Sequence, residues 1–258
     1  MSITPIEING DLTLSLAATV ANVLNSEEIA FDYYCDITKD NKILKCVKAT
    51  KKTLLHDYIE DVCCDSITYI MCKHFDEEAI AYIKNWFDSL NISYSEIPEL
   101  EADCLYSELE HYADQIQALF NEKALPVISE AVFAILYNNK DFLYKFNLKI
   151  TEQIKQIKKE DFPDCFQDDG YLIRQNPPTW LKKGVFNRDG GRCQSCGTDL
   201  SRIFTNANDE NYDHIIPLKQ GGINDPTNYQ LMCEHCNKSK RDRSSSYRNV
   251  IWPYWNND

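Results

Sequence analysis

Two CxxC pairs, Cys193-Gln-Ser-Cys196 and Cys233-Glu-His-Cys236, bracket 36 residues near the C-terminal end of this 258-residue chain. No other feature restricts the fold as much. Four thiolates in two such pairs close a tetrahedral zinc site, and soft sulfur donors favour Zn²⁺ where thiols stay reduced. A four-sulfur site leaves no open coordination position, so this zinc is expected to be structural. Gly197 directly after the first pair suits the tight turn of a zinc knuckle. At the centre of the bracketed stretch stands Tyr212-Asp213-His214-Ile215-Ile216-Pro217-Leu218, which presents a carboxylate and an imidazole side by side.

The segments around and between the cysteines carry a recognisable order. Asp213-His214-Ile-Ile-Pro-Leu is followed by Gln220-Gly221-Gly222, then by Asn228-Tyr-Gln-Leu-Met-Cys233, then by Cys236-Asn237-Lys238-Ser239-Lys240. Over roughly 180–245 this resembles the HNH endonuclease family, whose ββα-metal fold joins a short hairpin to a helix. The resemblance implies hydrolysis of phosphodiester bonds. His214, at the first H, would be the general base, since an imidazole titrates near neutrality and can take a proton from attacking water. Asp213 would supply a hard oxygen to Mg²⁺ or Mn²⁺ at the scissile phosphate. Asn228, at the middle N, would hold the hairpin loop and orient His214. Asn237 stands where the family often has its final His, and an amide oxygen there would complete the catalytic metal site. Assigning that place to His235 instead would require a shifted register, because two residues along a helix point to a different face.

Charge is divided unevenly. The chain as a whole carries −13, yet residues 176–258 hold 11 Lys and Arg against 9 Asp and Glu, a net of +2. An acidic body does not attract a polyanion in bulk, so any nucleic-acid contact belongs to the C-terminal part. Lys182, Lys183, Arg188 and Arg192 precede the Asp-His pair, and Lys238, Lys240, Arg241 and Arg243 follow it, as candidates for contacts to a phosphate backbone. Trp252, Tyr254 and Trp255 read as a tail packed on its own domain.

The remainder of the chain is patterned for helices. Leu12, Leu16, Val20 and Leu24 recur at helical spacing, and further stripes follow Glu77, Asp103, Pro126 and Phe142. Pro126 suits the first turn of a new helix. Between them, alternating Ile29, Phe31, Tyr33 and Cys35, with 43–47 beyond a polar turn, fit a small β-hairpin. Pro163, Gly170, Pro177 and Pro178 mark a connector. The expected class is therefore α+β, mostly α: an acidic helical regulatory or interaction domain over 1–175, then a zinc-stabilised ββα-metal HNH domain over 176–258.

The seven scattered cysteines read as reduced core residues. No apolar run is long enough to span a membrane, and the first residues lack a signal-peptide pattern, so a cytoplasmic protein without membrane contact is expected. The functional expectation is a metal-dependent nuclease acting on double-stranded DNA, with a structural Zn²⁺ and a catalytic Mg²⁺ or Mn²⁺. It would be controlled by the N-terminal domain, self-association or a regulatory protein partner, and antiviral defence is the context that the family suggests. The alternatives are a catalytically inactive zinc module that binds nucleic acid or protein, and an RNA-cleaving nuclease.

Overall fold

A computed structural model describes residues 9–27, 31–73, 77–95, 105–201 and 210–240. The chain divides into two compact units, each assembled from separated segments. One comprises Met1–Glu27 and His56–Ile135, the other Glu28–Leu55 and Leu136–Asp258. This division does not fall at the connector. Residues 28–55 and 136–175 belong with the C-terminal third rather than with the first helices.

The first unit is helical. Helix α1 (Gly10–Asn25) starts where Asn9 accepts from the N–H groups of Asp11 and Leu12, and buries Leu16, Val20 and Leu24 on one face. Helices α4 (Leu54–Lys73), α5 (Glu77–Ser89), α6 (Leu105–Leu119) and α7 (Leu125–Asn138) follow. Ile83, Trp86 and Phe87 of α5 are fully enclosed, as the stripe predicts. Pro126 lies in the first turn of α7, as expected, but no break separates that helix from α6. Phe120–Ala124 instead forms a π turn that runs straight into α7, with Leu125 N–H donating to Phe120 O. Proline removes one helical N–H and crowds the preceding turn, and a wider turn relieves both.

The second unit contains the expected hairpin segment, but as two short helices, α2 (Phe31–Tyr34) and α3 (Lys42–Val47). The alternation there covers too few residues to separate a strand from a helical turn. Asp40 and Asn41 both adopt positive φ, and the chain reverses through them directly into α3. Phe31 packs edge-on against Phe146 of helix α8 (Lys140–Ile154), which Asn139 caps through Phe142 N–H. The connector holds a two-stranded hairpin, β1 (Phe166–Asp168) and β2 (Tyr171–Leu172), with Phe166 and Leu172 buried. Helix α9 (Thr179–Arg188) leads to the first CxxC pair.

Strands β3 (Glu210–His214) and β4 (Tyr229–Cys233) pair antiparallel, with Asp213 opposite Gln230 and His214 opposite Tyr229. Helix α10 (Glu234–Lys240) follows β4 without a break. Leu181 and Val185 of α9 pack with Cys193, Leu200, Tyr229, Leu231 and Met232 into one core, and Ala49 joins it. The arrangement is the expected α+β, predominantly helical one. Among the described residues no helix is long and apolar enough to cross a membrane.

Candidate active site and metal centre

The hairpin loop sets the end of β3, where Asp213 and His214 lie, against the start of β4. Gly221 has φ of +88°, and a Cβ on Gly222 would lie 1.9 Å from Ile216 O, so the second glycine is required by close backbone approach. Asn228 then ties the loop shut. Its Oδ1 accepts from Ile216 N–H at 2.9 Å, its Nδ2 donates to Ile216 O at 3.0 Å and to Ile223 O at 2.9 Å, and it is fully buried. Asp225 caps the short turn that leads to Asn228, accepting from the N–H and hydroxyl of Thr227. Burial raises the Asp225 pKa above the usual carboxylate range, opposed by those bonds and by Leu54 N–H.

Strand alternation sends Asn211 and Asp213 to one face of β3, and Tyr212 and His214 to the other. Helix α10 lies on the first face. Asn237 Nδ2 donates to Asn211 Oδ1 at 3.3 Å, which leaves the Asn237 side-chain oxygen outside that bond. His235 is exposed. Asp213 Oδ2 accepts from Gln230 Nε2 at 3.3 Å and from Lys240 Nζ at 2.5 Å. Lys240 also donates to the carbonyls of His214 and Ile215. It is therefore turned inward onto the site, not outward to solvent as a surface cation would be. A carboxylate and an amide oxygen are donor types that a hard divalent cation takes, although at Asp213 Oδ2 such an ion would compete with the Lys240 ammonium.

His214 is only 3 % exposed, and its ring lies 4.4 Å from that of Tyr229. Nε2 sits 3.1 Å from Asn224 Oδ1. Burial, with the positive charges of Arg174 and Lys240 adding to it, pushes the imidazole down to about 3, so the ring is neutral. Asn228, expected to orient His214, spends its side chain on the loop. The residue on the imidazole is Asn224, which the sequence reading did not single out. Its signal was weak, since an asparagine after a GG turn is ordinarily just a turn former.

The four cysteines converge, all Sγ atoms lying within 4.8 Å of one another. Cys196 and Cys233 sulfurs are 3.8 Å apart. Tetrahedral zinc with sulfur ligands at about 2.3 Å demands sulfur–sulfur spacings of about 3.8 Å, so the cluster can bind zinc with little adjustment. Cys233 Sγ accepts from Cys236 N–H. Burial opposes ionisation of Cys196, but the Thr198 hydroxyl and N–H outweigh it and bring this thiol down to about 7. Gly197, at φ of +76°, donates its N–H to Cys193 O and closes the knuckle.

The basic residues divide. Lys182 and Lys183 are exposed on α9 and line a cavity of about 580 Å³ with Phe186, Glu210 and Tyr212. Lys238 is exposed and pairs with Glu234, while Arg192 is exposed and reaches Gly197 O. Arg188 departs from the expectation. Its side chain is buried, donates to both Asp189 oxygens and to Tyr229 O, and lies over the Tyr137 ring. It is a structural cation without access to a phosphate. Arg241 and Arg243 lie outside the described residues, as do Trp252, Tyr254 and Trp255.

A β-hairpin, a following helix, an Asp-His pair at the end of the first strand and four converging thiols together define the ββα-metal class with a zinc knuckle. In agreement, residues 193–243 match the family model of the HNH endonucleases, and this part of the chain is an HNH domain. Neither the curated proteins nor the solved structures contain a match to the chain.

Proposed function

We propose that the chain is a metal-dependent HNH endonuclease that hydrolyses phosphodiester bonds of DNA, leaving 5′-phosphate and 3′-hydroxyl ends. The observation that carries this reading is the placing of Asp213 and Asn237 on the shared face of β3 and α10, Asp213 held by Lys240 and Asn237 by Asn211, with a neutral imidazole on the residue after Asp213. A zinc module used only for binding has no need for that combination. Asp213 and Asn237 would hold Mg²⁺ or Mn²⁺, which when bound offsets charge on the scissile phosphate and the departing oxygen. His214 accepts the proton of the attacking water, for which a neutral ring is required. Lys240 balances the Asp213 carboxylate and, through the His214 and Ile215 carbonyls, pins the end of the strand. Lys182, Lys183, Arg192 and Lys238 are the exposed cations for the sugar-phosphate backbone, contacts that hold a duplex without reading its sequence.

A base only 3 % exposed meets water and substrate only when its surroundings open. This supports a nuclease under control, by the remainder of the chain, by self-association or by a protein partner, and a defence setting in the cytoplasm suits such restraint. Incubation of the full chain with supercoiled plasmid and Mg²⁺ or Mn²⁺ should yield nicked circles, and His214→Ala should reduce nicking to background. A general base contributes on the order of 10²–10⁴ in rate. Cutting by His214→Ala at the wild-type rate would remove the assigned mechanism, and cleavage confined to an RNA substrate would move the reading to a ribonuclease.

A further inference from the structure

Asn224 is fully buried and makes contacts in three directions. Its Nδ2 donates to Val47 O and to Ile173 O, both at 2.9 Å. Its Oδ1 faces His214 Nε2 at 3.1 Å, with the Tyr229 hydroxyl at 3.4 Å and Gln175 N–H at 3.5 Å. Its own backbone N–H donates to Cys46 O at 2.7 Å. An amide group has two N–H donors, and both are taken by carbonyls that can only accept. Turning the amide over would set its oxygen against those two carbonyls and its NH₂ against the Gln175 N–H. The orientation is therefore fixed by partners whose roles are unambiguous, where an amide and an imidazole alone would leave it open.

With Oδ1 directed at the imidazole, Nε2 must be the nitrogen that carries the proton. In a neutral ring the other nitrogen, Nδ1, then holds the lone pair. We infer that Asn224 is the positioning residue of the active site: it fixes His214 as the Nε2–H tautomer, makes Nδ1 the basic atom, and ties that choice to Cys46–Val47 and Ile173–Gln175. Those two segments lie outside the residues that match the HNH family, so the base of the HNH domain is set from outside it. The inference rests on the reading of His214 as general base, but the tautomer itself does not.

The test uses full-length protein labelled with ¹⁵N-histidine, without added Mg²⁺ or Mn²⁺. Two-bond ¹H–¹⁵N correlation spectra distinguish the tautomers, and comparison with His214→Gln picks out the ring among the five histidines. The expected wild-type pattern is protonated Nε2 with unprotonated Nδ1. In Asn224→Leu the pattern should shift toward a mixture, and kcat for plasmid nicking should fall by about 100-fold, within the range a positioned base supplies, while KM changes little. A wild-type ring protonated on Nδ1 overturns the assignment whatever the variant does. So does a folded Asn224→Leu protein that keeps both the wild-type tautomer and the wild-type kcat. Should Asn224→Leu fail to fold, the wild-type spectrum decides alone. A wild-type protein with the expected tautomer that cuts no nucleic acid would overturn the nuclease reading and leave the role of Asn224 in place.

Discussion

At the scale of single residues, Arg188 and Asn224 show what a sequence conceals. Arg188 follows two lysines on a helix beside the Asp-His pair, and composition alone makes it one more cation for a phosphate backbone. Its burial depends on Asp189, its neighbour in the chain, which is 5 % exposed and accepts from Arg188 Nε at 2.9 Å and from Leu231 N–H at 2.7 Å. Burial works against the guanidinium charge, but Asp189 outweighs it and raises the Arg188 pKa overall. Such a pair is not strongly stabilising against an apolar alternative, yet breaking it leaves an uncompensated buried charge. Asp189→Ala strands both the Arg188 guanidinium and the Leu231 N–H, which points from β4 away from β3. Urea unfolding followed by circular dichroism should therefore show a loss of about 3–5 kcal/mol. A loss within about 0.5 kcal/mol would mean that solvent reaches Arg188.

At the scale of elements, what could be read in advance was whatever repeats or coordinates. The stripes of α1 and α5 fixed their buried faces, and the spacing of the CxxC pairs located the knuckle, because periodicity and ligand spacing are local properties. The segment 31–47 forms two short helices where the alternation suggests strands, because four alternating residues fit a helical turn equally well. The π turn at Phe120–Ala124 has no sequence period of its own; Pro126 marked only that something there must change. For the knuckle the dependence on metal is direct. Cys193 and Cys233 are buried in the same small core as Leu181, Val185 and Leu231, so the ligands and the packing stand or fall together. Strong chelation should release one zinc per chain, measured by a metal-sensitive dye, with a lowered melting temperature and loss of the β3–β4 amide protection. Cys236→Ser should bind zinc more weakly and melt earlier. Unchanged melting after complete zinc removal would show that the core holds without its ion.

For the whole molecule, the amino-acid sequence marks turns but not which segments share a core. Pro163, Gly170, Pro177 and Pro178 do break the helical pattern, yet Phe166 and Leu172 bury the connector. The HNH domain takes contacts from well before it: Ala49 enters its core, Leu54 N–H donates to Asp225 at 3.1 Å, and Asn147 of α8 donates to Thr227 O at 3.1 Å. Gly221 lies against Thr151 and Lys155 of the same helix region. A chain cut to residues 176–258 forfeits all of these and keeps the zinc. Buried Asp225 and Asn224 would then face lost partners, and unpaired buried polar groups cost about 1–3 kcal/mol each. We expect this fragment to bind zinc but to lack cooperative thermal unfolding and a dispersed amide spectrum, whereas the full chain has both. A fragment that melts cooperatively and nicks plasmid like the full chain would restore a boundary near 175 and would confine the determinants of the site to the C-terminal third.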